Sequence, residues 1–227
     1  METIEAKRSK RSITAMTKAL LFDFDGTLLD TNDLIIQTFM HVLNKRFPGQ
    51  YEPINCLNFI GPSLAETFSS IAPDEAEELT RQYREWNLLH HDELVKEFDG
   101  VVETLEKLKE MGLRLVIVST KRRDTIARGL EIMGAAHLFE FVIGIDDVTH
   151  VKPDPEPILL AIEKLGVAKE DAIMIGDNSH DILGGKNAGV RTAGVAWALK
   201  GRDFLQQFNP DYMLEHMSDL ISIVKEA

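Results

Sequence analysis

The chain has 227 residues, 44% hydrophobic and 27% charged, with a formal net charge of −12 and a single cysteine, Cys56. That acidity argues against a nucleic-acid partner, and no apolar run approaches the roughly 18 residues that a membrane span needs. One cysteine excludes an internal disulfide and fits a reducing cytoplasm.

Residues 1–16 differ in kind from the rest. Lys7, Arg8, Lys10 and Arg11 sit among Ser and Thr with no apolar block. The stretch therefore reads as a disordered basic extension and not as a secretion signal, and Met16, just ahead of the first strand, is an expected start site.

Residues 19–28 read Ala-Leu-Leu-Phe-Asp-Phe-Asp-Gly-Thr-Leu. The apolar run predicts a buried parallel strand, and Gly26 opens the turn that ends it. Asp23 and Asp25 are then presented together at the carboxyl edge of the strand, where open α/β sheets bind ligands. Two carboxylates about 4 Å apart repel by roughly 4 kcal/mol at an effective dielectric near 20. A metal, a lysine or a proton must offset them.

Asp30 or Thr31 is placed to cap a helix carrying Leu34, Ile35, Thr38, Phe39, Val42 and Leu43 at helical spacing, and Phe47-Pro48-Gly49 ends it. From there to about residue 97 only helical signals occur. One helix starts at Pro62 or Ser63. Another starts at Pro73-Asp74 and carries Leu79, Tyr83 and Trp86. This predicts an all-helical insert over 31–97, joined to the core by links near 28–33 and 96–101, with core segments 17–30 and 98–227.

The second half alternates. A helix through Val101, Leu105, Leu108 and Met111 stops at Gly112; strand 113–118, helix 124–133 and short strand 141–144 follow. Then come helix 155–165, strand 172–175, helix 180–188, strand 192–196 and a last helix with Met217, Leu220, Ile221 and Val224. Such alternation implies a parallel sheet with helices on both faces and right-handed crossovers.

The expected strand ends deliver polar groups. Ser119-Thr120-Lys121 follows one strand, Lys152-Pro153 lies past the next, and Gly176-Asp177 ends another, with Asp181 one helical turn on. Asp23, Asp177 and Asp181 are hard oxygen donors of the type Mg²⁺ takes. Ser119 or Thr120 can donate to anionic oxygens, and Lys152 brings positive charge. An anion entering beside these carboxylates needs metal and lysine together, which points to a small phosphate-bearing substrate. His180 is expected at the surface.

These motifs, in this order, resemble those of the haloacid dehalogenase superfamily phosphatases, and the helical insert resembles their C1-type cap. The resemblance implies a Rossmann-like α/β core with a cap. It implies Asp23 as the nucleophile that forms an aspartyl-phosphate, and Asp25 as the acid and then the base. Mg²⁺ would sit on Asp23, the Asp25 carbonyl and Asp177, with Asp181 acting through water or as an outer partner. Gly26, Ser119, Thr120, Lys121, Lys152 and Gly61 would meet the substrate. Further segments, among them Phe59-Ile-Gly-Pro-Ser-Leu64 and Lys152-Pro-Asp-Pro-Glu-Pro157, are similar to the pyrophosphatase branch. That branch removes the pyrophosphate released when HPr kinase/phosphorylase dephosphorylates seryl-phosphorylated HPr, a functional link that implies no stable complex.

On physical grounds a second phosphate needs further cations. Lys121, Arg122 and Arg123 are candidates, as are the main-chain amides around Gly61. The competing readings are a phosphatase of organic monoesters such as phosphoglycolate, a phospho-accepting receiver switch and a mutase. The insert and Asp25 argue against the receiver, and nothing signals the mutase.

Overall fold

The computed structural model describes residues 17–226; the basic extension expected over 1–16 lies outside the described residues. The run Ala19–Phe22 forms strand β1, each of its residues fully buried. The chain continues through β2 (Leu29–Asp30), α1 (Asn32–Arg46), α2 (Leu64–Ile71), α3 (Ala76–Leu94) and β3 (Lys96–Glu97). Then follow α4 (Val101–Glu110), β4 (Arg114–Val118), α5 (Arg123–Ile132), β5 (Val142–Ile143), α6 (Glu156–Leu165), β6 (Ala172–Gly176) and α7 (Ser179–Ala188). The chain finishes with β7 (Arg191–Val195), α8 (Arg202–Gln206), β8 (Tyr212–Leu214) and α9 (Asp219–Glu226).

Six strands make one sheet in the order β5-β4-β1-β6-β7-β8, and every pairing is parallel. This is the doubly wound α/β fold that the alternation predicts. Successive strand residues face opposite sides, so β1 divides its own side chains. Leu20 and Phe22 enter a cluster with Val101, Leu105 and Leu108 of α4, Ile126 and Leu130 of α5, and Leu220 of α9. Ala19 and Leu21 pack on the other face against Ile158, Ala161, Ile162 and Leu165 of α6. Fully burying one such aliphatic side chain stabilises by about 1.5–3 kcal/mol, and the two clusters clamp the sheet from both sides.

Helices α1, α2 and α3 gather around a third cluster that contributes nothing to the sheet. Phe39 is its hub, with ring centroids 4.7 Å from Tyr83, 5.2 Å from Phe59 and 5.6 Å from Phe68. Ser63 starts α2 by accepting from the Glu66 amide while Glu66 accepts from the Ser63 amide at 2.8 Å, a reciprocal cap. At α1 the Asp30 carboxylate takes the Asn32 amide, and Thr31 makes no cap bond.

Four elements, β2, β3, β8 and α8, lie outside the sequence expectation. The links at 28–33 and 96–101 are not plain connections, because Leu29 pairs with Glu97 and Asp30 with Lys96 in a two-stranded antiparallel ribbon. Lys96 and Glu97 are both exposed and so carry no apolar alternation. Strand β8 and helix α8 extend the far edge of the sheet. Among the described residues no helix is long and apolar enough to cross a membrane.

Candidate active site

Strand register sets the site. Phe22 is level with Ile117 of β4 and Ile175 of β6, so all three strands end at the same height, on either side of the central strand where the chain's direction of winding reverses. Asp23, Ser119 and Asp177 emerge there side by side, and the Asp23 amide is fixed by the Ile175 carbonyl at 2.8 Å.

Lys152 ties the group together. It is 3% exposed, and its Nζ donates to Asp23 Oδ1 at 3.0 Å, Asp181 Oδ1 at 2.6 Å and the Val118 carbonyl at 2.6 Å, using all three protons. Burial acts to lower the Lys152 pKa, but the charges of Asp181 and Asp23 overcome it and leave the ammonium raised. Both aspartates are shifted upward by these surroundings. Burial, with Asp181 and Asp25 nearby and Lys152 opposing, lifts Asp23 to about 6. Burial, then Asp181 and Asp23, raise Asp177 well above the carboxylate range. The protein's own cations therefore do not fully offset the acids. Asp23, Asp177 and Asp181 each offer a carboxylate oxygen, all within 4.8 Å of one another, the arrangement of hard donors a divalent cation neutralises.

Asp181 differs from the other two in having both oxygens engaged. Lys152 donates to Oδ1, and the Asn178 amide donates to Oδ2 at 3.0 Å. Gly26 is close to the site for a steric reason. Its φ is +72°, and a Cβ there would lie 2.5 Å from Asp177 Oδ2. Its amide donates to Leu29 O at 2.9 Å, so it is already committed within the turn.

A cavity of about 180 Å³ opens above these groups, roofed by α1, α2, α3 and the segment Phe59–Ser63. Asp23, Asp25, Gly61, Ser119, Thr120, Lys121, Lys152, Asp177 and Asp181 all line it, whereas Gly26 does not. Lys121 reaches Asp25 Oδ1 at 2.7 Å. The Lys-Arg-Arg run divides. Arg122 lines the cavity while bonding Asp124 at 3.2 Å; Arg123 turns away to Asp146 and Asp147, both at 3.4 Å, and leaves the set of candidate phosphate ligands. The amides around Gly61 also narrow, because Pro62 has no N–H and Glu66 takes that of Ser63. His180, expected at the surface, is half-buried, lines the cavity and contacts Asn178 Oδ1 at 3.2 Å. Burial, then Lys200 and Lys152, lower its pKa.

Sequence reasoning missed Asn178, Lys200, Arg84 and Asn87. Asn178 Nδ2 and Lys200 Nζ both donate to the Ile60 carbonyl, each at 2.9 Å. Gly61 follows at φ +116°, where a Cβ would sit 2.7 Å from the Asn178 side chain. A polar residue beside Asp177 was a readable signal for Asn178. Lys200 stands in no motif.

Comparison with known proteins agrees with this geometry. Residues 20–195 match the family model for haloacid dehalogenase-like hydrolases. The pyrophosphatase PpaX of Bacillus velezensis is 52% identical over 205 residues, covering 90% of this chain and 95% of that one. PpaX of a Bacillus cereus strain is 50% identical over 207 residues, covering 91% and 96%. Among solved structures, a haloacid dehalogenase-like hydrolase of Bacteroides fragilis superposes with a TM-score of 0.84 at 31% identity, covering 90% of this chain and 99% of that one. A protein assigned as a phosphoglycolate phosphatase of Lactobacillus plantarum gives 0.83 at 25% identity, with 92% and 99% covered.

Proposed function

The chain belongs to the haloacid dehalogenase-like hydrolases, and from that premise we propose that it hydrolyses inorganic pyrophosphate to phosphate through an aspartyl-phosphate on Asp23. One observation carries the substrate: relatives at 50–52% identity over nine-tenths of this chain are named pyrophosphatases.

The residues divide the work. Lys152 holds Asp23 Oδ1, and the other carboxylate oxygen attacks phosphorus. As that O–P bond forms, the bridging P–O bond breaks and its electron pair departs on phosphate. Such a leaving group carries its charge more easily than an alkoxide, so Asp25 has little protonating to do. In the second half Asp25 takes a proton from water, the water oxygen attacks the aspartyl phosphorus, and Asp23 is released with the second phosphate. Ser119 and Thr120 donate to the transferring oxygens, and Lys152 offsets their charge.

Mg²⁺ is the cofactor of this reading. The donor set fits it, since three carboxylate oxygens lie within 4.8 Å of one another beside a net negative charge. Asp23 and Asp177 would hold the ion together with the Asp25 carbonyl. Asp181, with both oxygens taken, would position the loop and Lys152. When bound, the ion supplies Lewis-acid neutralisation of phosphoryl oxygens. We assign the dephosphorylation of seryl-phosphorylated HPr by HPr kinase/phosphorylase as the source of the pyrophosphate, with the enzyme acting in the cytoplasm, a functional link that implies no stable complex. The segment 31–97 acts as a cap that keeps water from the intermediate.

A second reading, phosphoglycolate hydrolysis, draws on the apolar side chains of Phe39, Phe59 and Leu64 in the roof, which accommodate carbon. A phosphate-release panel with Mg²⁺ separates the two, comparing pyrophosphate, phosphoglycolate, hexose phosphates and nucleotides. Pyrophosphate is expected to have the highest kcat/KM; finding it among the poorest substrates would end the pyrophosphatase assignment.

A further inference from the structure

Building on the pyrophosphatase reading, we propose that Arg84 is its specificity residue. It reaches from α3 to grip the leaving phosphate, so that the site prefers a diphosphate to a phosphate whose leaving group has no second phosphoryl.

Four observations carry the assignment. First, α3 turns one stripe to the cavity: Tyr83, Arg84, Asn87 and Leu88 line it, at the spacing of a single helical face. Second, Arg84 is uncommitted. Arg81, three residues earlier, is held by Glu78 and Glu85 at 2.5 Å each, whereas among the described residues no carboxylate lies within 4.0 Å of the Arg84 guanidinium. Third, α3 is anchored to the core. Arg128 of α5 donates to the Leu88 carbonyl at 3.0 Å and to both oxygens of Asp92 at 2.7 and 2.9 Å. Arg84, one turn before Leu88, is thereby stationed over the cavity.

Fourth, the other cations around the cavity already have partners. Lys152 is shared between Asp23 and Asp181, Lys121 bonds Asp25 at 2.7 Å, and Arg122 bonds Asp124 at 3.2 Å. A second phosphate therefore meets Lys121 with one proton spent and Arg84 with a donor fork that no described residue's carboxylate occupies. A guanidinium fork matches phosphate oxygens two at a time. A substrate ending in carbon or in a single carbonyl has no such use for it.

The experiment measures steady-state kinetics of the wild-type protein, Arg84→Gln and Arg84→Lys with Mg²⁺ on two anhydrides. Pyrophosphate and acetyl phosphate both present a transferable phosphoryl on a good leaving group, but only pyrophosphate carries a second phosphate. In Arg84→Gln the ratio of kcat/KM for pyrophosphate to that for acetyl phosphate is expected to fall by roughly 10-fold, the worth of a charge-assisted bond, mainly through KM. Arg84→Lys should recover part of the loss. An unchanged ratio, whether both substrates suffer equally or neither does, overturns the assignment of Arg84 alone. A wild-type protein that consumes acetyl phosphate but not pyrophosphate overturns the pyrophosphatase reading and this inference with it.

Discussion

At the sheet end of the cavity Lys152 is 3% exposed and spends every proton on fixed acceptors; at the cap end Arg84 is exposed and, among the described residues, bonds no carboxylate. The first region is dry, close-packed and set by strand register. The second is assembled from a helix face and a loop, with Arg84 exposed and left with bonding capacity to spare. A buried charge set leaves little room for variation, because each member compensates another and removing one strands the rest. A cation at the mouth can be altered without disturbing the fold. On the proposed function, the chemistry would be kept where geometry is rigid, and discrimination where it is adjustable.

The contrast can be broken at several points. Asp23→Asn keeps an acceptor for Lys152 while removing a charge that burial disfavours, so it should lower phosphate release by about 10³-fold or more with the melting temperature near wild type; substantial turnover would remove the covalent step. Lys152→Met strands Asp23 and Asp181 in the interior, and the unfolding free energy should drop by about 3–5 kcal/mol in urea titration. A loss below about 1 kcal/mol would mean that the sheet end is less tightly coupled than its bonds imply. Gly61→Ala places a Cβ at 2.7 Å from Asn178 on a backbone with φ +116°. The strain is worth about 1–3 kcal/mol, so the melting temperature should fall by several degrees and kcat/KM roughly 10-fold. Full activity would separate the loop from the site.

The smallest effect concerns pH. His91 is buried at the C-terminal end of α3. Burial lowers its pKa from 6.5, Asp92 opposes this, and Lys121 and Arg128 add to it. The unfolded chain then binds a proton near pH 6.5 that the folded chain resists, so this contribution to stability is intact above that pH and declines below it. Asp23, raised to about 6, acts in the opposite sense, since the folded form binds its proton more readily. The informative quantity is therefore the difference between proteins. His91→Gln should change less in urea midpoint between pH 7.5 and 5.5, in the direction of losing the acid penalty. An identical pH response in both proteins would clear His91 of any part in it.

The sheet end was legible in the chain because its signals are local. Asp23, Ser119 and Asp177 each follow an apolar run that reads as a buried strand, so placing the strands places the residues. Lys152 needed only its position past a strand. The cap end was not legible in this way. Asn178 and Lys200 meet Ile60 across 118 and 140 residues of sequence, and no spacing rule spans that distance. Arg84 looks like any solvated helix arginine until α3 is docked. The sequence motif places Gly26 among the substrate contacts, whereas its amide and its missing Cβ serve the turn and Asp177. The ribbon β2–β3 and strand β8 are too short to declare a period.

The Ile60 carbonyl joins two motions that are usually considered apart. Asn178 donates to it at 2.9 Å through the side chain while its own amide holds Asp181, and Asp177 is its immediate neighbour. Lifting the roof would therefore break its bond to Asn178, in the loop that carries the acids. By linkage, whatever steadies that loop steadies the roof, and the closed roof returns the same factor in affinity to anything the acids hold. On the proposed function, occupancy of the floor and closure of the ceiling would be one equilibrium read from two sides.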